Sequence, residues 1–94
     1  VARQLRVEVV AVEQKVWTGE AELVTARTTE GELGIMPGHA PLLGQLAEPG
    51  QVRIRRTGGE ELTWDVAGGF LSVTARGVTV LAESASPATP AATH

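Results

Sequence analysis

The chain has 94 residues, a net charge of −3 and no cysteine. One domain of this size can bury roughly 60–65% of its unfolded surface, and without cysteine neither a disulfide framework nor a thiolate metal site is possible. The mildly acidic balance argues against a general nucleic-acid binder, and Trp17, Trp64 and Phe70, its only aromatic residues, leave little for base stacking.

At the start, Val1-Ala2-Arg3-Gln4 has no apolar stretch behind a basic residue, so no secretory signal is expected. Leu5, Val7, Val9 and Ala11 alternate with Arg6, Glu8, Val10 and Val12, the two-residue period of a strand. Val9-Val10-Ala11-Val12 is the longest apolar run and falls far short of the ~20 residues of a membrane-spanning helix. Direct membrane insertion is therefore not expected. Residues 9–23 could be drawn as a helix, but their valine density and Gly19 count against it. Short strand-like runs follow at 15–17, 22–27, 51–56, 62–66, 70–75 and 78–82, separated by glycine-rich turn signals. Such spacing predicts an all-β sandwich or barrel.

Between the second and third of these runs lies Glu30-Gly31-Glu32-Leu33-Gly34-Ile35-Met36-Pro37-Gly38-His39-Ala40-Pro41-Leu42-Leu43. Gly31, Gly34 and Gly38 with Pro37 and Pro41 forbid a helix or a central strand here. Yet Leu33, Ile35, Met36, Leu42 and Leu43 are too apolar for a flexible linker, which predicts a shaped, ordered loop. Ile35 and Met36 should be either tucked under the sandwich or offered to a partner. His39 invites an enzymatic reading with Glu30 and Glu32 as partners, but no triad or second ordered histidine completes it. His39 is expected to hydrogen-bond backbone groups of its own loop. The three glycines lack the G-x-G-x-x-G or G-K-[ST] spacing of a phosphate cradle. Neither a catalytic site nor a metal or cofactor site is expected.

Gly58-Gly59 marks a hairpin. A two-residue turn there would put the apolar rows of the two strands on opposite faces, whereas a three-residue loop, Gly58-Gly59-Glu60, joins them. That register pairs Val52 with Val66 and Ile54 with Trp64, sets Arg53 opposite Asp65, and needs a glycine at positive φ. Arg53, Arg55 and Arg56 then read as a strand face neutralised by Asp65 and Glu61, the alternative being an anion site. Trp17 and Trp64 read as core or rim packing. Before the final histidine, residues 84–94 are all serine, alanine, threonine or proline. They cannot offset about 1–2 kcal/mol of backbone entropy per residue. The expected division is a folded domain at 1–83 and a disordered tail at 84–94.

The long run from Glu30 to Leu43 resembles the GELGI-PGHAPLL signature of the epsilon subunit of F-type ATP synthase, called delta in mitochondria. The similarity extends to Val9-Val10-Ala11-Val12-Glu13, Pro49-Gly50-Gln51-Val52-Arg53-Ile54, Gly68-Gly69-Phe70-Leu71 and Val78-Thr79-Val80-Leu81-Ala82-Glu83. The resemblance implies an antiparallel β-sandwich of two sheets with about ten short strands. It also implies a non-catalytic rotor part of the central stalk, peripheral on the cytoplasmic face of the bacterial membrane. Its partners would be the gamma subunit and the polar loops of the c-ring, and its role the coupling of proton translocation to ATP synthesis.

Carried over by position, Glu32 matches the family's acidic residue facing the basic c-subunit loop. Gly31, Leu33, Gly34, Met36 and His39 fall on the same surface, and Ala11, Leu43 and Gly44 near the face that meets gamma. Where Met36 stands the family often has an aromatic residue. Most bacterial members continue into a helical hairpin that inhibits hydrolysis and in some species binds ATP. No helical period follows Glu83, so neither ATP binding nor inhibition is expected of this sequence. Two rival readings are a free-standing β-sandwich binding module for a peptide or small ligand, which needs a deep apolar pocket, and a small hydrolase using His39 and Glu32, which lacks a nucleophile and an oxyanion site.

Overall fold

Each valine-rich run becomes strand in the computed structural model, which describes residues 4–11 and 14–88. The elements are β1 (Leu5–Ala11), β2 (Gln14–Thr28), β3 (Gly31–Ile35), β4 (Leu42–Gln45), β5 (Gly50–Arg56), β6 (Glu61–Thr74) and β7 (Gly77–Pro87), with no helix among the described residues. The alternation in β1 does what its period predicts: Leu5, Val7 and Val9 are buried while Arg6 is exposed.

Strands β1, β7, β6, β5 and β2 pair in that order, and β1 also pairs with β2, which closes the sheet into a barrel-like sandwich. β3 extends from β2 and β4 from β6. All pairs are antiparallel except β1 with β7, which run parallel. A parallel pair needs a long connection; here β2 to β6 supply it. Closure leaves one interior, filled by Val7, Val9, Val24, Ile35, Val52, Ile54, Leu71 and Val80, all fully buried. Burying each such side chain contributes about 1.5–3 kcal/mol. No polar or charged residue is buried among the described residues.

Seven strands stand where about ten are expected. The runs 15–17 and 22–27 are one strand, and so are 62–66 and 70–75. Glycine does not end these strands. β6 pairs with β5 through residues 61–66 and with β4 through 70–73, and it turns between them at Gly68, whose φ is 61°. A bend of this kind lets one strand serve both layers. β2 does likewise, pairing first with β1 and then with β3 and β5, with a register shift between Ala21 and Leu23.

The loop expected over the breaker-rich run is partly strand. Gly31–Ile35 forms β3, an edge strand bonded to β2 alone, where glycines do least harm. Residues 36–41 remain irregular and Leu42–Gln45 forms β4.

The β5–β6 hairpin has the expected parity and a corrected register. Its three-residue loop is Thr57-Gly58-Gly59, closed by Arg56 N–H donating to Glu60 O at 2.7 Å. Val52 therefore faces Trp64 and Ile54 faces Leu62, while Arg53 lies opposite Thr63 and Asp65 opposite Gln51. Gly58 and Gly59 both have positive φ, 104° and 102°, so both must lie inside the turn. This register also sets Arg55 against Glu61 and Arg56 against Glu60, each ion pair at 3.3 Å. The expected one would have faced these arginines with Thr63 and Leu62.

The tail boundary moves as well. Residues 84–87 belong to β7 and pair with residues 64–67 of β6, and Ala88 N–H donates to Thr63 O at 2.9 Å. The small side chains bury little, but the ladder satisfies their backbone without needing bulk. Residues 89–94 lie outside the described residues, as do Val12 and Glu13. Cleavage after Glu83 is accordingly expected to lower stability by about 1 kcal/mol, which is a fall of about 4–8 °C in Tm for a domain of this size. A scanning calorimeter trace unchanged by the cut would mean that these residues do not pair.

Candidate functional site

The turn before β3 is tied down by one side chain. Thr28 Oγ1 donates to Gly31 O at 2.7 Å and accepts from Glu30 N–H at 3.2 Å, a local bond of the kind threonine favours in turns. Leaving this turn, β3 places Glu32 opposite Arg27 of β2. Glu32 is exposed, as are Gly31 and Gly34. Its carboxylate reaches past β2 to β5, where Arg53 Nη2 lies 3.4 Å from Oε2. The arginine face is thus self-neutralised as expected, with Arg53 paired to Glu32 and not to Asp65, which instead accepts from Gln51 Nε2 at 3.0 Å. An open groove of about 590 Å³ runs over this outer face, lined among others by Arg27, Glu32, Arg53, Asp65 and Ser86.

At the other end of β3 the two apolar neighbours part company. Ile35 is fully buried, and Met36 is 62% exposed. Leu33 is half-buried against the core. His39 N–H donates to Met36 O at 3.0 Å, and Nδ1 lies 2.7 Å from Ala40 O. A carbonyl only accepts, so Nδ1 carries the proton. His39 holds its own loop, as the sequence implied. It lines a second concavity with Gln4, Pro37, Thr74 and Arg76, separate from the groove at Glu32. Among the described residues no cluster of His, Asp and Glu could hold a metal ion.

The third feature is apolar. Leu43, Phe70 and Leu81 are 72%, 50% and 51% exposed. Phe70 and Leu81 are direct partners across β6 and β7, Val10 of β1 sits opposite Leu81, and Leu43 of β4 is opposite Ser72, two residues from Phe70. Ala11, at the end of β1, borders the hollow beside Phe70 and Leu81. Ala11 and Leu43 are therefore brought to one sheet. Gly44 looks the other way: a Cβ there would point at the Thr28 methyl. Sequence reasoning missed Phe70 and Leu81. In Phe70-Leu71 and in Val80-Leu81-Ala82 adjacent residues are apolar, so strand alternation must send one of them outward.

A family model described as ATP synthase, Delta/Epsilon chain, beta-sandwich domain, matches residues 4–88. The chain belongs to this family. Among relatives in the delta/epsilon family, the ATP synthase epsilon chain of Rhodococcus erythropolis is 61% identical over 85 residues, covering 90% of this chain and 70% of the relative. The epsilon chain of Frankia casuarinae is 57% identical over 81 residues, covering 86% of this chain and 94% of the relative. A chain of the Euglena gracilis mitochondrial ATP synthase, solved with OSCP, F1 and the c-ring in rotational state 1, superposes with a TM-score of 0.85 at 27% identity. This chain spans 55% of that one, and the match covers 93% of this chain. The Tetrahymena thermophila central stalk and c-ring structure has a chain with the same fold, with a TM-score of 0.70 at 19% identity, covering 89% of this chain and 66% of that one. This delta/epsilon sandwich thus offers two unlike outer surfaces, a charged one around Glu32 and an apolar one around Phe70.

Proposed function

We propose that this chain is the sandwich part of an epsilon subunit, a non-catalytic rotor component of the F-type ATP synthase central stalk. In this reading the apolar row Leu43, Phe70 and Leu81, with Ala11 at its border, seats the gamma subunit. The β3 edge with Glu32, its neighbours Gly31 and Gly34, and the exposed Met36 meet the polar loops of the c-ring. Gly44 follows Leu43 in β4 at the margin of the same seat, Leu33 anchors β3 to the core, and His39 shapes the loop beside Met36. The chain then couples proton translocation to ATP synthesis as a peripheral component on the cytoplasmic face of the membrane.

The observation that carries the reading is the apolar row. Three large hydrophobics from three adjacent strands stand exposed together on a chain with few to spare, which marks a protein-binding face. Kinship with epsilon chains over residues 4–88 supplies the partner class. The open, charge-lined groove at Glu32 does not favour a small-ligand module, which needs an enclosed apolar pocket.

Glu32 provides the test. Exposed ion pairs contribute only up to about 1 kcal/mol and weaken with salt, so Glu32→Ala should leave the fold intact. It should weaken ATP-driven proton pumping in reconstituted membranes while gamma pull-down stays normal. Glu32→Lys should be worse, because repulsion is added to the lost attraction. Normal pumping by the lysine variant, or loss of gamma binding in both, would place the c-ring contact elsewhere.

A further inference from the structure

We propose that Arg53 is a positioning residue for Glu32, holding one carboxylate oxygen so that the other is presented to a basic group of the c-ring loop. The inference rests on the reading of Glu32 as the c-ring contact and adds to it a residue two strands away.

Glu32 stands on an edge strand where its own neighbours cannot restrain it. Nothing lies within 4 Å of where a Cβ would be on Gly31 or Gly34. An unrestrained glutamate pays for its rotamer freedom when a partner immobilises it. Arg27 is directly opposite in the β2–β3 ladder, yet the ion pair forms with Arg53 on β5. Two strand spacings, about 9.5 Å, separate β3 from β5, and only two long side chains together span them. Arg53 sits between Thr25 and Thr63 in the ladders on either side, short residues over which its guanidinium can extend. β5 is paired along both edges, so the base of this strut is rigid, as a supporting residue requires.

The contact engages Oε2 alone. Among the described residues Oε1 accepts no hydrogen bond, and an ionised carboxylate can take two cationic donors at once. Arg53 also repels an incoming cation, but that cation meets Oε1 first. The carboxylate lies between the two cations and attracts each at shorter range than they repel each other. Presentation therefore outweighs competition.

The test is a binding cycle on the gamma-bound chain titrated against purified c-ring. Arg53→Gln should weaken binding about two- to fivefold, the range of an exposed pair. Arg53→Lys should recover part of the loss, since an ammonium reaches the same oxygen without the fork. Arg27→Gln removes the same charge from the same groove without touching Glu32 and should change little. In the background of Glu32→Gln, Arg53→Gln should add nothing. Tighter binding by Arg53→Gln would make Arg53 a competitor and overturn the proposal. An equal loss with Arg27→Gln, or a full loss in the Glu32→Gln background, would reduce Arg53 to net charge and overturn it too. If Glu32→Gln weakens binding and Arg53→Gln does not, only the positioning role falls; if Glu32→Gln itself is silent, the c-ring reading falls with it.

Discussion

Gly69→Ala is expected to destabilise the chain by about 3 kcal/mol or more, the upper range for overpacking against atoms that cannot move. A Cβ at Gly69 would overlap the Leu81 carbonyl oxygen and come within 2.6 Å of Ala82 Cα. Both belong to the backbone of β7, which pairs with β6 at this point through Gly69 and Ala82. A side chain could swing aside, but a hydrogen-bonded strand cannot, so β6 and β7 must separate. For a small domain whose total stability is about 5–10 kcal/mol, that is a large share. The neighbouring glycine provides a control. A Cβ at Gly68 would meet only the Glu83 side chain, at 3.0 Å, so Gly68→Ala should cost about 1–2 kcal/mol for its positive φ. Urea unfolding of the two variants decides the matter. Equal midpoints would mean that β7 does not cross so closely over Gly69.

The second large effect falls on association. Phe70→Asp should reduce affinity for the isolated gamma subunit by about 30-fold or more, because a buried aromatic anchor at an interface is worth about 2 kcal/mol or above. The charge would also have to be desolvated against apolar neighbours, Leu81 beside it and Leu43 two residues along the ladder. In the free chain Phe70 is half exposed, so the variant should fold, with a Tm within a few degrees of the parent. Calorimetric titration with gamma, run beside a thermal melt, separates the two effects. Undiminished affinity in a folded Phe70→Asp chain would move the gamma seat off this face.

Much of this architecture follows from local pattern. The two-residue period of Leu5, Val7 and Val9, repeated in Val52 and Ile54 and in Leu71 and Val73, names the buried face without reference to the rest of the chain, because successive side chains on a strand must alternate. The parity of the β5–β6 hairpin follows from the same rule, since the other parity would split its apolar rows. The turn chemistry of residues 36–41 and the self-bonding of His39 are equally local. Glu32 as a candidate contact is likewise readable from a carboxylate set between glycines in a family signature.

Other features depended on what lies across the sheet. Whether Gly19 and Gly68 end a strand or lie within it was decided by the partners waiting on either side, so the strand count came out at seven. The hairpin register, two residues from the expected one, matches Arg55 and Arg56 to Glu61 and Glu60, whereas both positive-φ glycines would lie in the turn in either register. Residues 84–87 joined β7 because β6 had unpaired backbone groups to offer, a demand that composition does not record. The partnership of Arg53 with Glu32 and the clustering of Leu43, Phe70 and Leu81 bring together residues far apart in the chain. Alternation along a strand is a property of the chain alone, and it determined which residues are inside. Which residues are neighbours is a property of closure, and only the folded barrel decided it.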